Sequence, residues 1–312
     1  MNVVYWPNIA LGRSEIVDAI EAIGGIRLQV VTTDRALVEH LPNAQGLVMA
    51  NPSRQEGAAI ERVIRSGSQL RWMHLISAGM DGVAHCGLKP DVVVTHTPGA
   101  TANAVGDHAV ALLFALMRGL HLALKQQRLH RWDKSTITPS VTTIAGKRVV
   151  ILGYGAIGRY LRPVFEALGA EVRVVSRTTP TGVAPDAAFE LSQLSAAMTG
   201  ADILICAIAL SNLTHGLVDE SRLKLMKPGS LLVNVGRGEV VAREGLVRCL
   251  KDGHLAGAGL DVTDPEPLPD WDETWSLPNV IITPHYGGAG SKDAPRRIAQ
   301  RVVDVIRERL SV

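Results

Sequence analysis

Residues 148–177 read RVVILGYGAIGRYLRPVFEALGAEVRVVSR, and this stretch decides the fold. The run Arg148–Leu152 is apolar enough for a buried strand. Gly153-Tyr154-Gly155-Ala156-Ile157-Gly158 follows at once, and the residues from Arg159 to Leu168 have helical spacing around a single proline, Pro163. Gly169 closes that segment, and Glu171–Val175 is a second strand. Strand, glycine turn, helix and strand in this order give a GxGxxG motif the context of a dinucleotide site. Gly153 permits the tight turn, Gly155 lets the backbone approach a pyrophosphate, and Gly158 lets the helix pack close to the sheet. The helix start offers unpaired N–H groups to phosphate.

The end of the second strand bears on which dinucleotide binds. An NAD site usually carries an acid there, bonded to the ribose hydroxyls. Here the strand runs into Ser176-Arg177-Thr178-Thr179, with no carboxylate to repel a 2′-phosphate and an arginine able to pair with one. The expected cofactor is NADP(H), with NAD(H) as the weaker alternative.

Composition limits the remaining possibilities. A chain of 312 residues accommodates two domains and a large core. At 46% hydrophobic and 20% charged residues it reads as soluble and globular, and a formal net charge of +2 gives no reason to expect nucleic acid or an acidic membrane as partner. Cys86, Cys206 and Cys249 form neither a metal pattern nor a paired framework, so no metal is expected and a reducing, cytoplasmic setting fits. The first residues lack a basic region followed by an apolar run, so no signal peptide is expected. The apolar run Ala109–Met117 is too short to span a bilayer.

Before the glycine motif, short apolar runs at Val3–Tyr5, Ile26–Val31, Gly46–Met49, Trp72–Leu75 and Val92–Thr95 alternate with helical stretches such as Glu15–Ile23 and Glu56–Ser66. That alternation implies a small parallel α/β domain. Its loop Ser77-Ala78-Gly79-Met80-Asp81-Gly82 follows a strand and can present N–H groups to an anion. Thr101–Leu129 reads as one long helix, apolar around most of its circumference at its heart, which suggests burial between domains or subunits. Further strands are expected at Ala201–Cys206, Ser230–Val235, Ala256–Val262 and Asn279–Thr283. Helices are expected at Ala187–Met198, Asp219–Met226, Arg243–Lys251 and Ser291–Leu310, the last packing back on the first domain.

Three polar residues stand just beyond three of those strands. Arg237 follows Leu231–Val235, Glu266 follows Leu260–Val262 after a short loop, and His285 follows Val280–Thr283. Strand ends of one parallel sheet converge on one crevice. There an arginine can hold a substrate carboxylate in a two-pronged pair. A histidine can pass a proton to or from a carbonyl oxygen as hydride moves. An acid can fix the histidine tautomer and stabilise its cation. Asp261, ending its strand, could accept from a nicotinamide amide or serve as a structural turn-former. Such a set beside a nicotinamide suits reversible oxidation of a 2-hydroxy acid.

Over nearly its whole length the chain resembles the D-isomer specific 2-hydroxyacid dehydrogenase family. The resemblance rests on Gly153–Gly158, on Val233-Asn234-Val235-Gly236-Arg237-Gly238, on Gly259-Leu260-Asp261-Val262 with Glu266-Pro267-Leu268-Pro269, and on Thr283-Pro284-His285. It implies an α/β fold of two doubly wound parallel-sheet domains, a Rossmann-type nucleotide domain (99–287) inserted in a flavodoxin-like substrate domain (1–98 and 288–312). It further implies Arg237, Glu266 and His285 as catalytic residues and Asp261 at the nicotinamide amide. Ala78 and Gly79 would join Arg237 at the substrate carboxylate, and a homodimer would form through Thr101–Leu129. His96 stands where many relatives have asparagine, and Ala209-Leu210-Ser211 where Pro-Leu-Thr is common. Ser176-Arg177 resembles the NADPH-preferring reductases of glyoxylate and hydroxypyruvate. Trp132, Trp271, Trp275 and Tyr286 are candidates to shape the pocket wall. Two alternatives are a reductase of bulkier 2-oxo or sugar acids, and a non-catalytic nucleotide-binding sensor or corepressor.

Overall fold

A computed structural model describes residues 1–310. The chain divides into two compact units, Met1–Thr101 with Gly290–Val312, and Ala102–Ala289.

The first unit carries strands β1 (Asn2–Trp6), β2 (Arg27–Val30), β3 (Gly46–Met49), β4 (Trp72–Leu75) and β5 (Val93–His96). All pair in parallel, in the order β2-β1-β3-β4-β5, the flavodoxin-like arrangement. Between them run helices α1 (Arg13–Glu21), α2 (Asp34–His40) and α3 (Arg54–Ser66). Helix α3 starts with a capping box in which the Ser53 hydroxyl accepts from the Glu56 amide and the Glu56 carboxylate accepts from the Ser53 amide. Tight packing explains one glycine: a Cβ on Gly46 would lie 2.0 Å from the indole of Trp72, its register partner on β4.

The second unit is a seven-stranded parallel sheet of β6 (Arg148–Leu152), β7 (Glu171–Ser176), β8 (Ala188–Glu190), β9 (Ile203–Cys206), β10 (Ser230–Asn234), β11 (Leu255–Leu260) and β12 (Val280–Ile282). Its order, β12-β11-β10-β9-β6-β7-β8, reverses direction at β6, as in a Rossmann sheet. Its helices are α4 (Ala102–Met117), α5 (Leu120–Arg128), α6 (Ala156–Ala167), α7 (Leu194–Met198), α8 (Glu220–Leu223) and α9 (Arg243–Lys251). The chain then returns to the first unit as α10 (Ala294–Leu310), which packs on α1 through Ile298, Val302 and Ile306 against Ile16 and Ile20.

Two expectations need correction. Thr101–Leu129 is not one helix but α4 and α5, bent by 66° at a break where Gly119 adopts φ 63°. A left-handed residue ends one helix and caps the next, and glycine tolerates it best. Ala187–Met198 is not a helix throughout. Its first part forms the edge strand β8, followed by a single 3₁₀ turn and the short α7, so strand pairing with β7 overrides the helical spacing. Among the described residues no single helix is long and apolar enough to cross a membrane.

The small residues of β11 also have a packing reason. A Cβ on Gly257 would stand 3.1 Å from Leu116, and one on Gly259 3.0 Å from Leu112. Helix α4 therefore lies close on β10 and β11, burying Leu112, Leu113 and Leu116 within this unit.

Candidate active site

The glycine motif spans the β6–α6 turn, and its three glycines differ in what surrounds them. Gly153 has φ 108°, and a Cβ there would lie 2.4 Å from the Ala207 carbonyl oxygen. Gly158 would place one 2.2 Å from the Gly153 oxygen, so only hydrogen fits between helix and turn. Gly155 is exposed, and a Cβ there would meet nothing within 4 Å. No side chain caps the start of α6. This leaves an open approach to first-turn amides, which fits a dinucleotide pyrophosphate. Tyr154 and Ile157 pack partly into the core, and exposed Ala156 begins the helix. The Arg159 guanidinium lies 4.8 Å from the centre of the Tyr154 ring.

At the end of β7, the Ser176 hydroxyl donates to the Thr178 carbonyl. Arg177 is exposed and makes no hydrogen bond or ion pair among the described residues. The expectation of no carboxylate here is incomplete. Glu190 is the register partner of Ser176 on β8, and its Oε1 accepts from the Thr179 hydroxyl at 2.6 Å. The helical spacing over β8 conceals this acid, which lies 14 positions beyond Ser176 along the chain.

Arg237, Glu266 and His285 lie beyond the C-terminal ends of the adjacent strands β10, β11 and β12. Arg237 is half-buried. Its turn is set by Asn234, whose Oδ1 accepts from the Gly236 amide (3.0 Å) and whose Nδ2 donates to the Arg237 carbonyl (2.9 Å). Its Nη1 donates to the Gly236 oxygen at 2.8 Å. The two flanking glycines are steric necessities, since Cβ atoms would lie 2.7 Å from the Ile208 oxygen and 2.0 Å from the Thr263 carbonyl carbon.

His285 Nδ1 and Glu266 Oε2 are 2.8 Å apart, and Glu266 Oε1 accepts from the Thr263 amide at 3.1 Å. The hydrogen bond to Glu266 raises the His285 ring above the usual histidine range; burial and the Arg237 charge pull the other way. Burial works upward on Glu266, yet the bond to His285, its charge, the Thr263 amide and Arg237 together hold it below the usual carboxylate range. The pair is therefore biased toward imidazolium and carboxylate. With Nδ1 bonded to Glu266, Nε2 is the nitrogen available to exchange a proton with a ligand.

Asp261 is 3% exposed and does more than end a strand. Its Oδ1 accepts from the Thr283 hydroxyl (2.7 Å) and the Tyr286 amide (3.2 Å), and its Oδ2 accepts from the Gly287 amide (3.0 Å). The sequence leaves open a nicotinamide contact or a structural role in a turn; the structure shows a carboxylate that folds the loop bearing His285. His285 itself has φ 50°, and its amide donates to the Asp261 carbonyl at 2.9 Å.

In the first unit, Ala78 and Gly79 lie in a loop tied by the Ser77 hydroxyl to the Asn51 amide (2.8 Å) and by the His96 ring to the Ala78 carbonyl (3.0 Å). Among the described residues the amides of Ala78 and Gly79 donate to nothing. His74 is a structural histidine, bridging the hydroxyls of Thr95 (2.8 Å) and Thr97 (3.0 Å). Burial, aided by Arg301 and His96, pushes it down to about 4. Burial likewise pushes the Cys86 and Cys206 thiols up to about 12, which leaves them inert. Of the candidate wall residues, Trp132 and Trp271 are fully and largely exposed, and Trp275 and Tyr286 about half.

A profile of the D-isomer specific 2-hydroxyacid dehydrogenase NAD binding domain matches residues 110–287. The chain belongs to the D-isomer specific 2-hydroxyacid dehydrogenase family. It is 32% identical over 259 residues to the glyoxylate reductase of Pyrococcus furiosus, covering 81% of this chain and 76% of that one. It is 30% identical over 279 residues to the glycerate dehydrogenase of Methylorubrum extorquens, covering 87% and 84%. Among solved structures, the family member from Xanthobacter autotrophicus Py2 in complex with NADPH and MES superposes with TM-score 0.76 at 25% identity, over 98% of this chain and 94% of that one. This 2-hydroxyacid dehydrogenase is thus an NAD(P)H-dependent oxidoreductase of small 2-oxo and 2-hydroxy acids.

Proposed function

We propose that the chain reduces small 2-oxo acids, glyoxylate and hydroxypyruvate among them, to D-2-hydroxy acids with NADPH. The observation that carries the reading is the 2.8 Å His285–Glu266 pair with Arg237 on the neighbouring strand end. The names of the relatives, a glyoxylate reductase and a glycerate dehydrogenase, support the substrate class.

Bound NADPH supplies the hydride. Arg237 holds the substrate carboxylate, and its charge orients the carbonyl carbon for attack. His285, protonated and braced by Glu266, gives its Nε2 proton to the carbonyl oxygen and takes it back in the oxidative direction. In the first unit, the unpaired amides of Ala78 and Gly79 suit the same carboxylate class of ligand. Arg177, without a protein partner among the described residues, is assigned to the 2′-phosphate, with Glu190 opposing it from β8. Apolar side chains exposed on and after α5, Leu120, Leu124 and Leu129, support a homodimer through the α4–α5 region, which light scattering would test.

Initial rates of glyoxylate reduction with NADPH and NADH, at matched subsaturating concentrations, test the reading. NADPH is expected to give the higher rate. A preference for NADH would remove the role given to Arg177, and the absence of any rate with glyoxylate or hydroxypyruvate would remove the substrate assignment.

A further inference from the structure

Helix α4 and strand β11 meet in a regular pattern. Leu116 lies over Gly257 and Leu112 over Gly259, at 3.1 and 3.0 Å from where a methyl group on each glycine would stand. Four residues of helix advance ~6 Å and two residues of strand ~6.6 Å, so the two series stay nearly in step. The next member of the helix series is His108, and the next member of the strand series is Asp261. Here apolar packing gives way to polar contact. His108 Nε2 lies 2.9 Å from the Thr283 hydroxyl and 3.3 Å from Asp261 Oδ1. Both side chains are largely buried, at 14% and 4% exposure.

The hydrogen-bond directions are constrained. The Thr283 hydroxyl has one hydrogen and gives it to Asp261 Oδ1 at 2.7 Å. It must therefore accept from His108, so the proton of this ring contact sits on His108 Nε2. Asp261 in turn takes the Tyr286 and Gly287 amides, one on each carboxylate oxygen. The Tyr286 ring also rests 4.9 Å, centre to centre, from the His108 ring. Between Thr283 and Tyr286 sits His285, in a left-handed backbone conformation with φ 50° that its neighbours must hold.

We propose that His108 is a positioning residue for His285: through Thr283, Asp261 and the Tyr286 ring it fixes the loop that aims the catalytic imidazole. The inference rests on the proposed proton-transfer role of His285. It assigns to the helix a second duty besides packing, since the residue that anchors the loop comes from α4 and not from any strand end.

The test compares H108A and H108Q in the full chain; glutamine retains an N–H able to donate to Thr283. The first readout needs no turnover: the His285 ring is titrated by ¹⁵N nuclear magnetic resonance, without substrate or cofactor. In H108A the midpoint is expected to fall, because a loosened loop weakens the bond to Glu266, while Arg237 and Asp261 remain. The second readout is steady-state glyoxylate reduction. H108A is expected to lower kcat by about tenfold to a hundredfold, the cost of a misplaced group, with KM for glyoxylate and the Kd for NADPH within about twofold. H108Q is expected to recover most of both effects. An unchanged His285 midpoint in H108A overturns the proposal. Equal loss in H108A and H108Q, accompanied by a common fall in Tm, also overturns it and leaves His108 a packing residue. If the native chain reduces no 2-oxo acid, the functional reading fails, while the titration still decides whether His108 positions His285.

Discussion

His285 Nδ1 stands 2.8 Å from Glu266 Oε2, and each residue moves the other's titration in the direction that favours an ion pair. Reduction of a 2-oxo acid draws on the protonated ring. The rate should therefore hold at neutral pH and fall as pH rises through the raised His285 value. In E266Q the main cause of that elevation is gone, so the fall should begin at lower pH. A pH–rate profile of both proteins checks this, and an unmoved limb would detach Glu266 from His285. Removing the ring in H285A should cost about 10²- to 10⁴-fold in turnover, with NADPH binding retained.

The same pair contributes to stability in a defined window. His285, raised when folded, stabilises below its unfolded value of about 6.5, and this is lost as pH rises through the folded value. Glu266, lowered when folded, stabilises above its unfolded value, and this is lost as pH falls through the folded one. His74 works in the opposite sense to His285. Its value is pushed down to about 4, so protonation opposes folding, and stability should drop as pH falls from about 6.5 toward 4. For a side chain with no exposed surface this amounts to roughly 3 kcal/mol. Denaturant titrations between pH 4 and 7 would show the slope, and H74N should flatten it.

The three motif glycines should fail differently when changed to alanine. G158A forces a Cβ to within 2.2 Å of the Gly153 oxygen and should destabilise the chain by about 1–3 kcal/mol. G155A meets nothing in the protein, so its Tm should be preserved while cofactor affinity falls. Thermal unfolding with and without NADPH separates the two; a large loss of Tm in G155A would contradict the open approach at that position.

Arg177 and Glu190 should act on NADPH with opposite signs. R177A removes a guanidinium pair and should raise KM for NADPH by about ten- to a hundredfold while leaving NADH nearly unchanged. E190Q removes an opposing charge and should lower KM for NADPH. Parallel kinetics with the two cofactors check both, and an equal effect of R177A on NADH would place the arginine away from the 2′-phosphate.

What the sequence discloses is local. The β6–α6 turn, Arg237 between its glycines and His285 after its strand are read from neighbours along the chain, and the parallel character of the sheets follows from strand–helix alternation. What stays hidden depends on distant partners. Glu190 faces Ser176 only because β8 pairs with β7, and that pairing defeats a helical pattern. The break at Gly119 is masked because the apolar spacing of Leu116 and Met117 resumes at Leu120 and Leu122 beyond it. His108 reads as one more polar position on an apolar helix until Thr283, 175 residues later, is brought to its ring.

The close seating of α4 on β11 links packing and proton chemistry. Leu112, over Gly259, is the spacer that sets how far the helix stands from the sheet, and His108 rides one turn away on the same face. A single methyl at position 259 would stand 3.0 Å from Leu112, so the helix face there would have to give by a few tenths of an ångström. The displacement would be felt at a hydrogen bond that no alteration of charge or polarity had touched. On the proposed role of His108, enlargement of a glycine in the sheet and loss of the His108 ring reach the same imidazole by different routes.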